Sequence, residues 1–259
     1  MASVELLFLG TGTSAGVPMI GCHCSVCLSS DPHDHRTRPS VLISYGSKRV
    51  LIDTTPELRI QCIANRIDDI DAIVFTHAHA DHVMGLDDVR RFNAMKDGPL
   101  DVWGDAKTLA TLKNCFGYAF QGPNLDRSVF RPHLEPRTVE GPFEIAGVKW
   151  TPVPVFHGKM PVLGFRVGKL AYCTDVSFIP EESFDLLKGL DVLVLDALRW
   201  RTHSTHFNVD EAVAAAKRIG AKQTLFTHIS HELGHAETNA KLPADCRLAY
   251  DGQKIFAAL

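Results

Sequence analysis

Ala72-Ile73-Val74-Phe75 is followed at once by Thr76-His77-Ala78-His79-Ala80-Asp81-His82. The first four residues form an apolar run with β-branched members, bounded by polar positions, which predicts a buried strand. The next seven place three imidazoles and a carboxylate on the loop leaving that strand's carboxyl end. Open α/β sheets usually place their chemistry there. Histidine is the commonest protein ligand for metals, and an added carboxylate suits zinc, manganese or iron. A solvated turn has no need of three histidines, so the string reads as part of a metal site.

Outward from this string, strand and helix candidates alternate. Val4–Leu9, Val41–Tyr45 and Arg49–Ile52 read as strands, and Pro56–Asn65 as a helix with Thr55 as N-cap and proline at its first position. Beyond the string, Asp105–Cys115 reads as a helix. Phe143–Ile145, Val148–Val155, Leu163–Val167 and Lys169–Cys173 read as strands with glycine turns between them. Pro180–Leu187 reads as helical, Val192–Leu195 as a buried strand and Gln223–Phe226 as a short one. Asn208–Ile219 has one apolar face, an asparagine cap and Gly220 at its end, which predicts a helix. Gly10–Gly16 lacks the lysine of a P-loop and reads as a turn.

Three of these strands end on a further metal-ligand type. His157 closes Val153-Pro154-Val155-Phe156, Asp175 follows Leu170–Thr174, and His228 follows Thr224–Thr227. A catalytic metal needs ligands that converge from several strand ends. Singly each residue is ordinary; the joint pattern is specific.

Composition limits the function classes. The 259 residues are 45% hydrophobic and 22% charged, as in an ordinary globular protein, and the net charge of −3 gives no support to a nucleic-acid footprint. A core of this size needs no disulfide staples. Val4–Leu9 is interrupted by Glu5 and has no basic flank, so it reads neither as a signal peptide nor as a membrane span. The expectation is a cytoplasmic protein, one domain over residues 1–259, with no membrane partner.

The seven cysteines are an odd number, and three crowd into Cys22-His23-Cys24-Ser25-Val26-Cys27. In a reducing compartment such crowding points to metal. C-x-C-x2-C suits a tetrahedral zinc that lacks one ligand, so residues 21–35 read as a small zinc-binding segment. His23, His33, His35 and His231 are all candidates for the fourth position.

The H-x-H-x-D-H string, followed at these intervals by His157, Asp175 and His228, resembles the metallo-β-lactamase superfamily over nearly the whole chain. The resemblance implies an α/β fold, a four-layer αβ/βα sandwich, with two divalent metals (zinc or manganese) at one edge. It implies His77, His79 and His157 on one metal, Asp81, His82 and His228 on the second, and Asp175 between them. Two such ions roughly 3.5–4 Å apart can make a bridging hydroxide available near neutral pH. The cysteine cluster is similar to that of the superfamily's phosphoribosyl cyclic phosphate phosphodiesterase branch. There it accompanies an additional structural zinc, and the matching fourth ligand is His231. In that branch a histidine matching His206 is the general acid, with Asp81 assisting and His203 the local rival.

The function expected from these residues is two-metal hydrolysis of a small cyclic or nucleotide-like phosphodiester. Thioester or lactam hydrolysis and RNA-processing endonuclease activity are the alternatives. The endonuclease needs a long arm where only a short hairpin fits, between His157 and Asp175. A non-catalytic binding protein would have lost ligands, and none is missing. Arg90, Arg91, Arg199 and Arg201 are possible phosphate contacts, but no substrate-binding residue is assigned. The oligomeric state is open from sequence, with a homodimer as one option.

Overall fold

The computed structural model describes residues 2–122 and 129–259. Fourteen strands in this part of the chain form two seven-stranded sheets. In spatial order the first holds β14 (Lys254–Ala258), β1 (Ser3–Gly10), β2 (Ser40–Tyr45), β3 (Lys48–Ile52), β4 (Ala72–Val74), β5 (Leu100–Gly104) and β6 (Leu134–Thr138). The second holds β13 (Cys246–Leu248), β12 (Gln223–Thr227), β11 (Val192–Asp196), β10 (Leu170–Cys173), β9 (Met160–Val167), β8 (Val148–His157) and β7 (Phe143–Ile145). Strands β3 to β6 and β10 to β13 run parallel, and the remaining neighbours pair antiparallel.

The apolar runs become strands buried on both faces, as parallel sheets covered by helices require. Period two sorts each run between two cores. Val50 and Ile52 of β3 point between the sheets and Leu51 points outward; Val192 and Val194 of β11 point between the sheets, Leu193 and Leu195 outward. The outer faces are covered by helices. α1 (Leu58–Ala64), α3 (Arg90–Lys96) and α4 (Ala106–Cys115) contribute Leu58, Phe92, Leu109 and Leu112 to one outer core. α5 (Glu181–Leu186) and α6 (Val209–Ile219) flank the other, with Ala212, Ala216 and Ile219 packed inward. Three cores between four layers make the αβ/βα sandwich. Each fully buried valine, leucine or isoleucine stabilises it by about 1.5–3 kcal/mol, so a charge at Val194 would break the packing of both sheets.

Local signals behave as their chemistry dictates, with two shifts. At α6, Asn208 Oδ1 accepts from Glu211 N–H and Glu211 Oε2 accepts from Asn208 N–H, both at 2.9 Å, and Gly220 ends the helix at φ 70°. Helix α1 starts at Leu58 rather than Pro56, and Thr55 is not its N-cap. Leu58 N–H donates to Thr55 O at 2.9 Å, which closes a turn over Pro56 and Glu57 and delays the helix. The His/Asp string is only half loop: Asp81 and His82 lie in a short helix, α2 (Ala80–Val83).

The Gly10–Gly16 turn spends its N–H groups inside the protein. Thr11 donates to Asp251 Oδ1, Gly12 to Thr37 O, Thr13 to Ile229 O and Gly16 to Thr13 O. Gly10 is required where it stands, because a Cβ there would lie 2.0 Å from Arg38 O. No helix of the described residues is long and apolar enough to cross a membrane.

Candidate metal centre

The carboxyl ends of β3, β4, β10, β11 and β12, with the end of β8, meet at one edge of the sandwich. Asp53 follows β3, is fully buried, and organises the string. It accepts from Thr76 N–H (2.9 Å), from Thr76 Oγ1 (2.8 Å) and from His82 Nδ1–H (2.8 Å). Thr76 Oγ1 in turn accepts from His77 Nδ1–H at 3.0 Å. His157 Nδ1–H donates to Thr205 O at 2.7 Å. Each of these three rings therefore has its proton on Nδ1 and turns Nε2 to the cleft as an acceptor, the arrangement that orients metal-ligating histidines.

Asp175 and His228 complete the cluster from the second sheet. Asp53, Asp175 and His228 adopt φ of 63°, 57° and 59°, left-handed backbone that a side chain rarely takes. Such conformations cost on the order of 1–3 kcal/mol and persist where the surroundings over-determine them. Asp175 lies at the centre: its Oδ1 is 3.3 Å from His228 Nε2 and 3.9 Å from His77 Nε2, and its Oδ2 is 3.2 Å from His82 Nε2. Asp81 Oδ2 is 3.5 Å from His82 Nε2 and 3.6 Å from His228 Nε2.

These residues fit divalent cations. His77 Nε2, His82 Nε2 and both ring nitrogens of His228 are buried with no hydrogen-bond partner, each a desolvation cost of about 1–3 kcal/mol unless something binds there. The electrostatics call for positive charge. Burial alone would push His228 down, yet Asp175 and Asp81 lift it to about 9. His82 is raised in the same way against its burial, by Asp175 and Asp53. Against its own burial, Asp81 is held well below the usual carboxylate range by His228 and His82. Ligand atoms of His77, His79 and Asp175 lie within 4.8 Å of one another, as do those of Asp81, His82 and His228. His157 joins Asp175 and His206 at the same separation.

His206 stands over this cluster, its ring 4.5 Å from those of His157 and His228. Its Nδ1–H donates to the fully buried Asp196 at 2.7 Å, and Asp196 also accepts from Val176 N–H at 2.9 Å. His203 has no such carboxylate; its Nδ1 faces the Thr205 hydroxyl at 3.2 Å. Of the two histidines in this loop, His206 is the one aimed at the cleft. Asp53 and Asp196 are the residues the sequence reading did not single out. Each closes an apolar run at the end of a strand, Val50-Leu51-Ile52 and Val192-Leu193-Val194-Leu195, much as Asp175 follows Leu170–Thr174.

Cys22, Cys24, Cys27 and His231 lie within 4.8 Å of one another. His231 Nδ1 is 3.2 Å from Cys22 Sγ and 3.4 Å from Cys24 Sγ. A tetrahedral zinc with Zn–S of about 2.3 Å and Zn–N of about 2.0 Å has S···N edges of about 3.5 Å. Cys27 N–H donates to Cys24 Sγ and, with His231 beside it, draws the Cys24 thiol down to about 6 against its burial. Burial pushes Cys27 up to about 11. All three thiols are unpaired. His33 and His35 are spent elsewhere: His33 stacks on His235 at 4.7 Å and His35 Nε2 meets Ser29 O.

Comparison with known proteins supplies the family. A family model described as a beta-lactamase superfamily domain matches residues 48–229. A solved structure described as a new diphosphatase from the PhnP family is 47% identical, with a TM-score of 0.93 and full coverage of both chains. Zn(2+)-bound PqqB from Methylobacterium extorquens shares the fold at 20% identity and a TM-score of 0.77, over 97% of this chain and 99% of its own. An octanoyltransferase of Porphyromonas gingivalis is 36% identical over 96% of this chain. The chain spans about half the length of that curated relative, 51%.

Proposed function

The chain belongs to the beta-lactamase superfamily, on its PhnP branch, and from that premise we propose that it is a metal-dependent phosphoric ester hydrolase acting on a small cyclic or nucleotide-like phosphodiester. The observation that carries this reading is the convergence of oriented, partnerless histidine nitrogens on Asp175, with the Asp196–His206 pair directly above them.

In this reading His77, His79 and His157 would hold one divalent ion and Asp81, His82 and His228 a second, with Asp175 central to the two groups. When bound, the ions supply Lewis acidity toward the phosphoryl oxygens and lower the pKa of water. The protein's own residues do the rest. Asp53 and Thr205 O fix the ligand rings. Asp81, kept ionised, has no proton to donate, so proton donation falls to His206. Asp196 accepts from Nδ1–H and so orients Nε2 toward the cleft. Transfer from Nε2 to the leaving alkoxide leaves His206 neutral, with Nδ1–H still on Asp196. A positioned acid of this kind contributes about 10²–10⁴-fold. Cys22, Cys24, Cys27 and His231 would hold a further, structural zinc.

A second reading, cleavage of a diphosphate, is favoured by the 47% identity to the PhnP-family diphosphatase. The two differ in their leaving group. Phosphate leaves without a proton, whereas an alkoxide needs one. The test is turnover of metal-loaded protein on a nucleoside 2′,3′-cyclic phosphate and on a nucleotide diphosphate ester, with and without His206→Ala. The diester reading expects turnover of the cyclic phosphate, with a loss of about 10²–10⁴-fold in the variant. Diphosphate cleavage that ignores the substitution favours the second reading. An octanoyl thioester and a β-lactam serve as controls, the first because of the octanoyltransferase relative. Cleavage of either with no phosphate ester cleaved overturns both readings.

A further inference from the structure

The loop at residues 199–206 does two jobs in the cleft: it presents His206, and its Thr205 carbonyl orients His157. Its neck is closed by Leu198 N–H to Phe207 O (3.0 Å) and by Val209 N–H to Arg199 O (2.9 Å). Between neck and tip the loop winds round Arg199, which donates through Nε to Arg201 O and through Nη2 to Thr202 O. Arg199 and Arg201 are thus two like charges brought together by the path of the chain. Glu232 bridges them with one carboxylate. It accepts from Arg201 Nε (3.0 Å) and Nη2 (2.6 Å) and from Arg199 Nη1 (3.5 Å). Among the described residues, no other side chain outside the loop hydrogen-bonds to the side chains of residues 199–204.

Glu232 is also the residue directly after His231, whose ring lies against Cys22 and Cys24. A turn fixes the pair: Glu232 N–H donates to Ser230 Oγ (3.2 Å), and Ser230 N–H donates to Leu198 O (3.0 Å) at the neck of the same loop. We propose that Glu232 is a positioning residue that couples the Cys/His cluster to the loop carrying His206: anchored beside His231, it clamps Arg199 and Arg201 and so keeps His206 over the cleft and Thr205 O on His157. This deepens the hydrolase reading above and rests on it for the role of His206. Metal held by the thiols then has a second consequence besides local folding, since it fixes the base from which Glu232 reaches.

The size of the effect follows from exposure. Arg201 is 70% exposed and Glu232 27%, and exposed pairs are weak unless bidentate or networked, as this one is. The experiment measures amide hydrogen exchange over residues 199–207 together with kcat and KM, in metal-loaded wild type, Glu232→Gln, Glu232→Asp and Cys22→Ser. Glu232→Gln and Cys22→Ser are expected to speed exchange in 199–207 and to leave β4 and β11 unchanged. They should lower kcat on the cyclic phosphate by about two- to fivefold, with KM little moved, and Glu232→Asp should restore part of it. On the His206→Ala background Glu232→Gln should cost less than it does in wild type, with only the part carried by Thr205 O and His157 remaining. Should Cys22→Ser not fold, release of one metal equivalent from wild type by a mercurial serves in its place. Unchanged exchange in 199–207 after the thiol-held metal is lost overturns the coupling, as does an equal kcat loss in the His206→Ala background. If wild type cleaves no phosphate ester the hydrolase reading falls, while the exchange result still decides the coupling.

Discussion

The two ligand clusters are assembled in opposite ways. The thiol cluster takes three of its four ligands from Cys22 to Cys27, in turns without helix or strand, and only Cys27 is fully buried. The His/Asp cluster takes four residues from the His77–His82 string after β4 and adds His157, Asp175 and His228 singly from strand ends of the second sheet, and most are buried. The first segment has little apolar surface of its own, and in the proposed reading a metal would hold its shape. The second is presented by a core that exists without one. Loss of metal should therefore unfold one region and merely disarm the other.

The largest expected effect breaks the second cluster at its centre. Asp175→Ala should abolish turnover and remove two metals per chain, with the thiol-held metal retained; elemental analysis beside an activity assay checks this. A variant that keeps both metals removes Asp175 from the shared position. Next come the supporting carboxylates. Asp53→Asn keeps the shape but no longer holds the proton on His82 Nδ1, and should cost about 10–100-fold in metal affinity or activity, read by titration with a metal-responsive dye. Cys24→Ser sharpens the contrast from the other side. It should release one metal and lower Tm by about 2–4 °C for each kcal/mol lost, measured by scanning calorimetry, with turnover reduced only a few-fold.

The smallest effect concerns acid. His235 lies one turn beyond His231, and burial, beside Arg36 and His33, pushes it from 6.5 down to about 4. The folded protein keeps it neutral while the unfolded chain takes up a proton below 6.5. Stability is then lost as pH falls from 6.5 through 4. Wild type should lose Tm across that window, and His235→Gln, which cannot take the proton, should lose less.

The contrast between the clusters also explains what was legible in the chain. Cys22, Cys24 and Cys27 announce themselves by spacing, and the His77–His82 string by density. Strands β1, β2, β3 and β11 were readable because burial on both faces forces continuous apolar runs. β6 was not: in Leu134-Glu135-Pro136-Arg137-Thr138 only Leu134 is buried, and an edge strand needs little more. β13 and β14 are short and half-polar for the same reason. Asp53 and Asp196 stayed hidden because a lone aspartate after a strand is ordinary. Their meaning lies in His82 and His206, which reach them only in three dimensions. The histidine that joins the three thiols could not be chosen from sequence distance, since His23 and His33 are nearer along the chain than His231.

One contact has a consequence for the order of synthesis. Gly12 bridges to Ile229 in parallel register, with Thr13 N–H on Ile229 O and Ile229 N–H on Thr11 O. The segment carrying His228 and His231 thus docks on a turn made more than two hundred residues earlier. On the ribosome, β1 to β4 and the His77–His82 string emerge long before their partners do. Neither cluster is complete until that late segment has arrived, because His228 and His231 are each the last member of their cluster along the chain.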